Sequence, residues 1–305
     1  MNELAEILSK AYRYTRNHKF LWFFGFFLTG WGTLNFLRHI DFNIIKLLSQ
    51  VDTVGDHLRP HPGVITAVLI GGTVLFFGIT ILGAIARTAI IYTGLHSERK
   101  EQIEPNVVLK KINRYFWRVF WLGLFTESFM LLVFSWLSIP LYFIFRGGSS
   151  PSNAVILTLL ALVIFIPIII ILSLINIFSA CYIVIYNLPI LPAVKASFDL
   201  LAGFWEETMG LFIVLIIIYF SLFFFSAAVL GLFGALAYAL ASLLKNLPVH
   251  SISGILLLII SLISFVLIFV NALLNVFTNF AWTLFFMKIV KAKLTKESEV
   301  ATTIA

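Results

Sequence analysis

Hydrophobic positions in this chain fall in long unbroken runs rather than in alternation. A helix of about 20 apolar residues crosses about 30 Å of hydrocarbon. Six runs meet that length, at roughly 20–37, 64–95, 117–145, 154–186, 208–244 and 252–287. The first is the shortest, and the last three exceed the minimum, which predicts tilt, bending or protrusion beyond the bilayer. Pro167 inside the fourth run predicts a kink. Breakers stand between the runs: Pro60, Pro62 and Gly63, then Arg146 to Pro151, then Asn246-Leu247-Pro248.

A second pattern, apolar residues at helical spacing with basic residues off the face, precedes three of the runs. Leu4, Ile7, Leu8, Ala11, Tyr12 and Thr15 share a face in the first, with Lys10 and Arg13 off it. Val108, Ile112, Tyr115 and Val119 oppose Lys110, Arg114 and Arg118 in the second. Leu191, Val194, Phe198, Leu201 and Trp205 recur in the third. Each stretch leads into aromatic residues and a similar string: Gly25-Phe26-Phe27, Gly123-Leu124-Phe125 and Gly210-Leu211-Phe212. The pattern predicts an all-α membrane domain covering residues 1–305, with six transmembrane helices as three hairpins. A cytosolic-face amphipathic helix precedes each hairpin, so one unit is used three times. A further amphipathic stretch from Leu37 to Val51 is expected on the outer interface.

Composition agrees with this picture and removes other classes. Hydrophobic residues make up 61% and charged residues 11%, against about 45–50% and about 25% in soluble domains. A soluble enzyme, a disordered chain and a nucleic-acid-binding domain are excluded on that ground. The net charge of +7 resolves by segment. Sixteen Lys and Arg fall on one side of the predicted topology and five on the other. Basic residues favour the cytoplasmic side, so both termini are expected there. The run after Lys10, Arg13, Arg16 and Lys19 is followed by no small-residue cleavage site, which predicts a retained anchor rather than a signal peptide. Amphipathic helices attract anionic lipid through Lys and Arg. Lys10, Arg13, Lys110, Lys111, Arg114 and Arg118 are therefore the expected lipid-surface groups, and membrane lipids the expected partners.

Ionisable groups within the runs are candidate sites. Arg87 lies about eight residues from the cytosolic end of span two and Glu127 about nine residues into span three. Both depths are about 12–14 Å at 1.5 Å per residue, which predicts a pair inside the bundle, either a structural bridge or a binding or proton site. Asn271, Asn275 and Asn279 recur every four residues, with Ser261, Ser264 and Thr278 near the same face, and Asn176 lies in a similar layer of span four. Amides cannot face lipid unsatisfied, so this stripe predicts either interhelical hydrogen-bond glue or a cavity open to the cytosol. Ala227, Gly231, Ala235 and Ala239 predict close helix packing.

Other chemistry is thin. Cys181 stands alone, so no intrachain disulfide forms, and it is expected to pack as a small hydrophobe. His57 and His61 are four apart, but Pro60 and Pro62 flank the second, and a solvated turn is the better reading than a metal site. No GxSxG, P-loop, HExxH or CxxC motif occurs. No catalytic residue, cofactor or metal is expected.

The third unit reads Leu188-Pro189, Pro192, Ala193, Ala196-Ser197-Phe198, Leu200, Gly203-Phe204-Trp205 and Gly210, and the chain opens with Arg16-Asn17-His18-Lys19-Phe20-Leu21-Trp22-Phe23-Phe24-Gly25. These strings resemble six-span bacterial proteins similar to the membrane domain of glycerophosphoryl diester phosphodiesterases and its stand-alone relatives. The resemblance implies a six-helix fold in a bacterial inner membrane. It does not imply phosphodiesterase activity, which belongs to a separate soluble barrel. The leading expectation is a non-enzymatic structural, accessory or lipid-organising protein. The alternative is a carrier or channel for a small or lipid-like molecule through a cytosolic-side polar cavity.

Overall fold

The computed structural model describes residues 2–28, 62–101, 104–145, 151–243 and 249–304. Among these residues there are eight helices: α1 (Asn2–Asn17), α2 (Phe20–Leu28), α3 (Pro62–Glu98), α4 (Pro105–Phe145), α5 (Pro151–Tyr186), α6 (Ile190–Gly203), α7 (Trp205–Leu243) and α8 (Val249–Ile304). Among the described residues no strand occurs. Among the described residues four helices, α3, α5, α7 and α8, are long and apolar enough to cross a membrane, and the chain is a membrane protein on that ground. The first and third predicted spans coincide with α2 and α4. α2 has 9 residues, about 14 Å, and the rest of that span lies outside the described residues. So do the stretch from Leu37 to Val51 and the His57–His61 turn.

The joints follow from local chemistry. Trp22 at the start of α2 donates its indole N–H to the carbonyl of Thr15 (2.7 Å), satisfying a terminal acceptor of α1. At the other end of the chain α6 opens after Pro189, with Pro192 in its first turn, where a missing N–H costs nothing. A single non-helical residue, Phe204 (φ −132°, ψ 40°), separates α6 from α7. α7 then carries Glu206 and Glu207 in its first turn, favourable at a helix N-terminus. α5 ends at Asn187, which adopts the left-handed conformation (φ 58°) that Asn tolerates at a helix C-terminus. In the second unit the amphipathic stretch is not a separate helix: it runs into the span as one 41-residue helix, α4.

Packing is concentrated at one end of the bundle. The buried side chains gather in the last turns of α3 (Ala86, Ile90), the last turns of α5 (Phe178, Ile183), the middle of α8 (Phe280, Phe286), and α1 and α6. Towards the opposite end, Ile70, Val74, Leu159, Val163, Phe223, Leu232 and Leu262 are exposed, as membrane-facing side chains are. α7 is the extreme: beyond Leu215 its described apolar residues are half-buried or exposed.

The amphipathic stretches are turned differently from the expectation. Those before spans one and five were expected to bury their apolar faces among headgroups. In α1 that face is buried in protein: Ile7, Ala11 and Thr15 are inside and only Tyr12 is exposed. Lys10 and Tyr14 bind Glu98 at the end of α3 (3.0 Å each), and Glu3 pairs with Lys288 of α8 (2.7 Å). In α6 the expected apolar face is divided. Leu191 (81% exposed), Phe198 (56%) and Trp205 point away from the bundle, Val194 is half-buried and Leu201 is buried, beside Ala193, Ser197 and Leu200. Ser197 lies 3.0 Å from Ser179 of α5, an approach that a larger side chain at either position would block.

Candidate intramembrane polar site

A small cavity lies between α2, α3 and α4. Its floor is Ile79, Thr80, Gly83, Ala84 and Arg87 of α3, one wall is Val119, Gly123 and Glu127 of α4, and the other is Phe27 and Leu28 of α2. Spacing explains the lining. Thr80, Ala84 and Arg87 share a helix face, as do Val119, Gly123 and Glu127. Glycine makes the room: among the described residues a Cβ on Gly123 would meet nothing within 4 Å, and one on Gly83 would lie 3.3 Å from the Phe27 carbonyl oxygen. The cavity volume is about 30 Å³, enough for about two waters.

Arg87 and Glu127 both border this cavity. They do not meet directly: among the described residues the ion pairs are those of Lys10, His96 and Lys288, and none joins Arg87 to a carboxylate. Glu127 instead accepts the Thr80 hydroxyl at 2.8 Å. The same hydroxyl lies 3.0 Å from the carbonyl of Phe76 in its own helix, so one proton serves two acceptors. The reason is register. Glu127 is level with Thr80, which stands seven positions before Arg87, about 10 Å along the axis. Counting from the expected span ends had placed both charges at one depth, because the true length of α4 beyond the interface was not visible. Side chains on a helix lean toward its N-terminus. On these antiparallel neighbours Arg87 and Glu127 therefore lean toward each other across the cavity. Thr80 was missed by sequence reasoning, although its place on the same α3 face as Arg87 was the available signal.

The asparagines are elsewhere. None of Asn176, Asn271, Asn275 and Asn279 lines this cavity. Asn275 is buried and accepts the Tyr219 hydroxyl of α7 at 3.0 Å, a cross-helix bond. Asn279 turns back on its own helix and donates to the Asn275 carbonyl (2.9 Å), while Asn271 is partly buried. The Asn176 carbonyl and the Ser264 hydroxyl are buried with no hydrogen-bond partner among the described residues. The cavity at Glu127 is thus separate from Asn275 and Asn279.

The six basic residues also divide. Lys10 pairs with Glu98 (3.0 Å) and Glu6 (3.3 Å). The Glu98 hydrogen bond raises its pKa above the ordinary lysine value, against the opposing effect of partial burial. Arg118 donates to the carbonyl (3.1 Å) and side-chain oxygen (3.0 Å) of Asn187, closing the end of α5. Arg13, Lys110, Lys111 and Arg114 stand exposed. Cys181 is buried and free. Among the described residues no group of three or more His, Cys, Asp and Glu side chains is placed to hold a metal ion. The chain matches no protein-family model, no curated protein and no solved structure.

Proposed function

We propose that this chain is a non-enzymatic, multi-pass protein of a bacterial inner membrane. In this reading it has six spans in three hairpins, both termini in the cytoplasm, and a structural or accessory role in organising lipid. The observation that carries the reading is the outward chemistry of the well-packed end. Arg13, Lys110, Lys111 and Arg114 are exposed there, beside exposed Tyr12, Trp117, Leu191 and Phe198. Cations next to amphipathic and apolar rings match the headgroup layer of an anionic leaflet. The positive-inside bias makes that layer cytoplasmic. The cavity at Arg87 and Glu127 supports the same choice over a carrier: at about 30 Å³ it holds about two waters, far less than a substrate of several heavy atoms.

Two measurements test the reading. Single cysteines at Asn2→Cys and Thr302→Cys, in a Cys181→Ser background, should be labelled only from the cytoplasmic side of intact cells. Labelling from outside removes the topology. Spin-labelled lipids around the reconstituted protein should show more immobilised phosphatidylglycerol than phosphatidylcholine per protein. Equal immobilisation, or solute flux through proteoliposomes, removes the lipid-organising role.

A further inference from the structure

α4 carries an outward face graded from charge to hydrocarbon. Lys110, Arg114, Trp117, Trp121 and Phe125 follow at intervals of four, three, four and four residues, which keeps them on one side of the helix. The two cations are exposed, and Trp117 (61%), Trp121 (45%) and Phe125 (68%) are exposed below them. The Trp121 and Phe125 ring centroids are 6.2 Å apart, so the aromatic surface is continuous. The opposite side of the helix is committed to the core through Val108, Ile112, Val119 and Leu122. Arg118, one turn off the stripe, is held by Asn187. No acidic residue interrupts the stripe.

We infer that this stripe is the seat of one anionic phospholipid of the cytoplasmic leaflet. Lys110 and Arg114 take its phosphates, Trp117 and Trp121 lie at the glycerol and ester level, and Phe125 lies along an acyl chain. The length fits. Fifteen residues separate Lys110 from Phe125, about 22 Å of helix. One leaflet with its headgroups is half of about 40–45 Å. The order fits as well: guanidinium and ammonium pair with phosphate oxygens, and indoles collect at the headgroup boundary. An unpartnered apolar face alone would suit any hydrophobic neighbour. Two cations at one end and rings below select a molecule with a charged head and an apolar tail.

This inference rests on the membrane reading above, and native mass spectrometry of the full chain, released from micelles containing equal phosphatidylglycerol and phosphatidylcholine, separates the two. Wild type should retain one phosphatidylglycerol in preference to phosphatidylcholine. Each cation near an anionic surface is a roughly fivefold effect, so K110Q/R114Q should lower that preference about 25-fold. W117A/W121A should weaken retention of both lipids without changing the preference. K291Q/K293Q, on α8, should behave as wild type. No preference in wild type, an equal loss in K291Q/K293Q, or a second polypeptide in place of the lipid overturns the seat. Since all six substituted side chains are outside the core, a monodisperse gel-filtration peak checks the fold of each variant. If the cysteine labelling gives the proposed topology while the preference is absent, the seat alone falls.

Discussion

Gly25 offers a test of how closely α2 and α8 meet. A Cβ built on Gly25 would overlap the carbonyl oxygen of Ala272, lie 2.8 Å from its carbonyl carbon and 3.0 Å from Val276 Cγ2. The first two are backbone atoms of a long helix and cannot rotate away. Gly25→Ala must therefore push α2 off α8. Overpacking of this kind costs about 1–3 kcal/mol, partly offset by the ~0.5–1 kcal/mol that alanine gains over glycine in a helix. Gly123→Ala carries the same helix gain with nothing within 4 Å of the new methyl, so it should be neutral or stabilising by up to ~1 kcal/mol. The helix gain cancels between them, so the two variants should differ by about 1–3 kcal/mol, or roughly 2–5 °C in midpoint for a chain of this size. The assay is the fraction of monodisperse protein on size exclusion after heating in detergent. A Gly25→Ala midpoint at or above wild type, or equal shifts in both variants, would refute the close approach.

Three further outcomes follow from the polar contacts. A double-mutant cycle on Arg87→Gln and Glu127→Gln, read by thermal stability, should give a coupling energy below about 1 kcal/mol. A directly bonded buried pair would instead lose about 3–5 kcal/mol when one partner is removed. Arg118→Ala should lower stability by about 1 kcal/mol, since charge-assisted bonds to a helix end are lost and partial exposure discounts them; an unchanged midpoint would show that Asn187 closes α5 alone. The folded pKa of Lys10 lies above its ordinary value. Its contribution to holding α1 is thus complete below the ordinary lysine pKa and is lost as pH rises through the folded value. Protease cleavage near the N-terminus should increase only at strongly alkaline pH, and Lys10→Gln should remove that dependence.

Helix existence was legible because apolar runs and helical periods are local properties. The apolar face of α1 and the buried Val108, Ile112 and Val119 of α4 were readable for the same reason. Direction was not. In α6 Leu191 and Phe198 were expected on the same face as Leu201, yet only Leu201 of these three is buried, together with Ala193, Ser197 and Leu200, because in a membrane the larger apolar side chains lose nothing by facing out. Register was also hidden. Arg87 and Glu127 were seen as a pair, but the offset between α3 and α4 depends on where each helix leaves the bilayer. The three glycines that open similar strings show the limit of internal likeness: Gly25 is pressed against α8, Gly123 borders a cavity, and a Cβ at Gly210 would lie 3.7 Å from Leu4 Cδ1.

The continuity of α4 has a mechanical consequence. Its 41 residues make a rod of about 60 Å, well beyond the thickness of a bilayer. α1–α2 and α6–α7 are broken by joints, whereas α4 runs without one, so a displacement at its Lys110 end is carried rigidly to Glu127 beside the cavity.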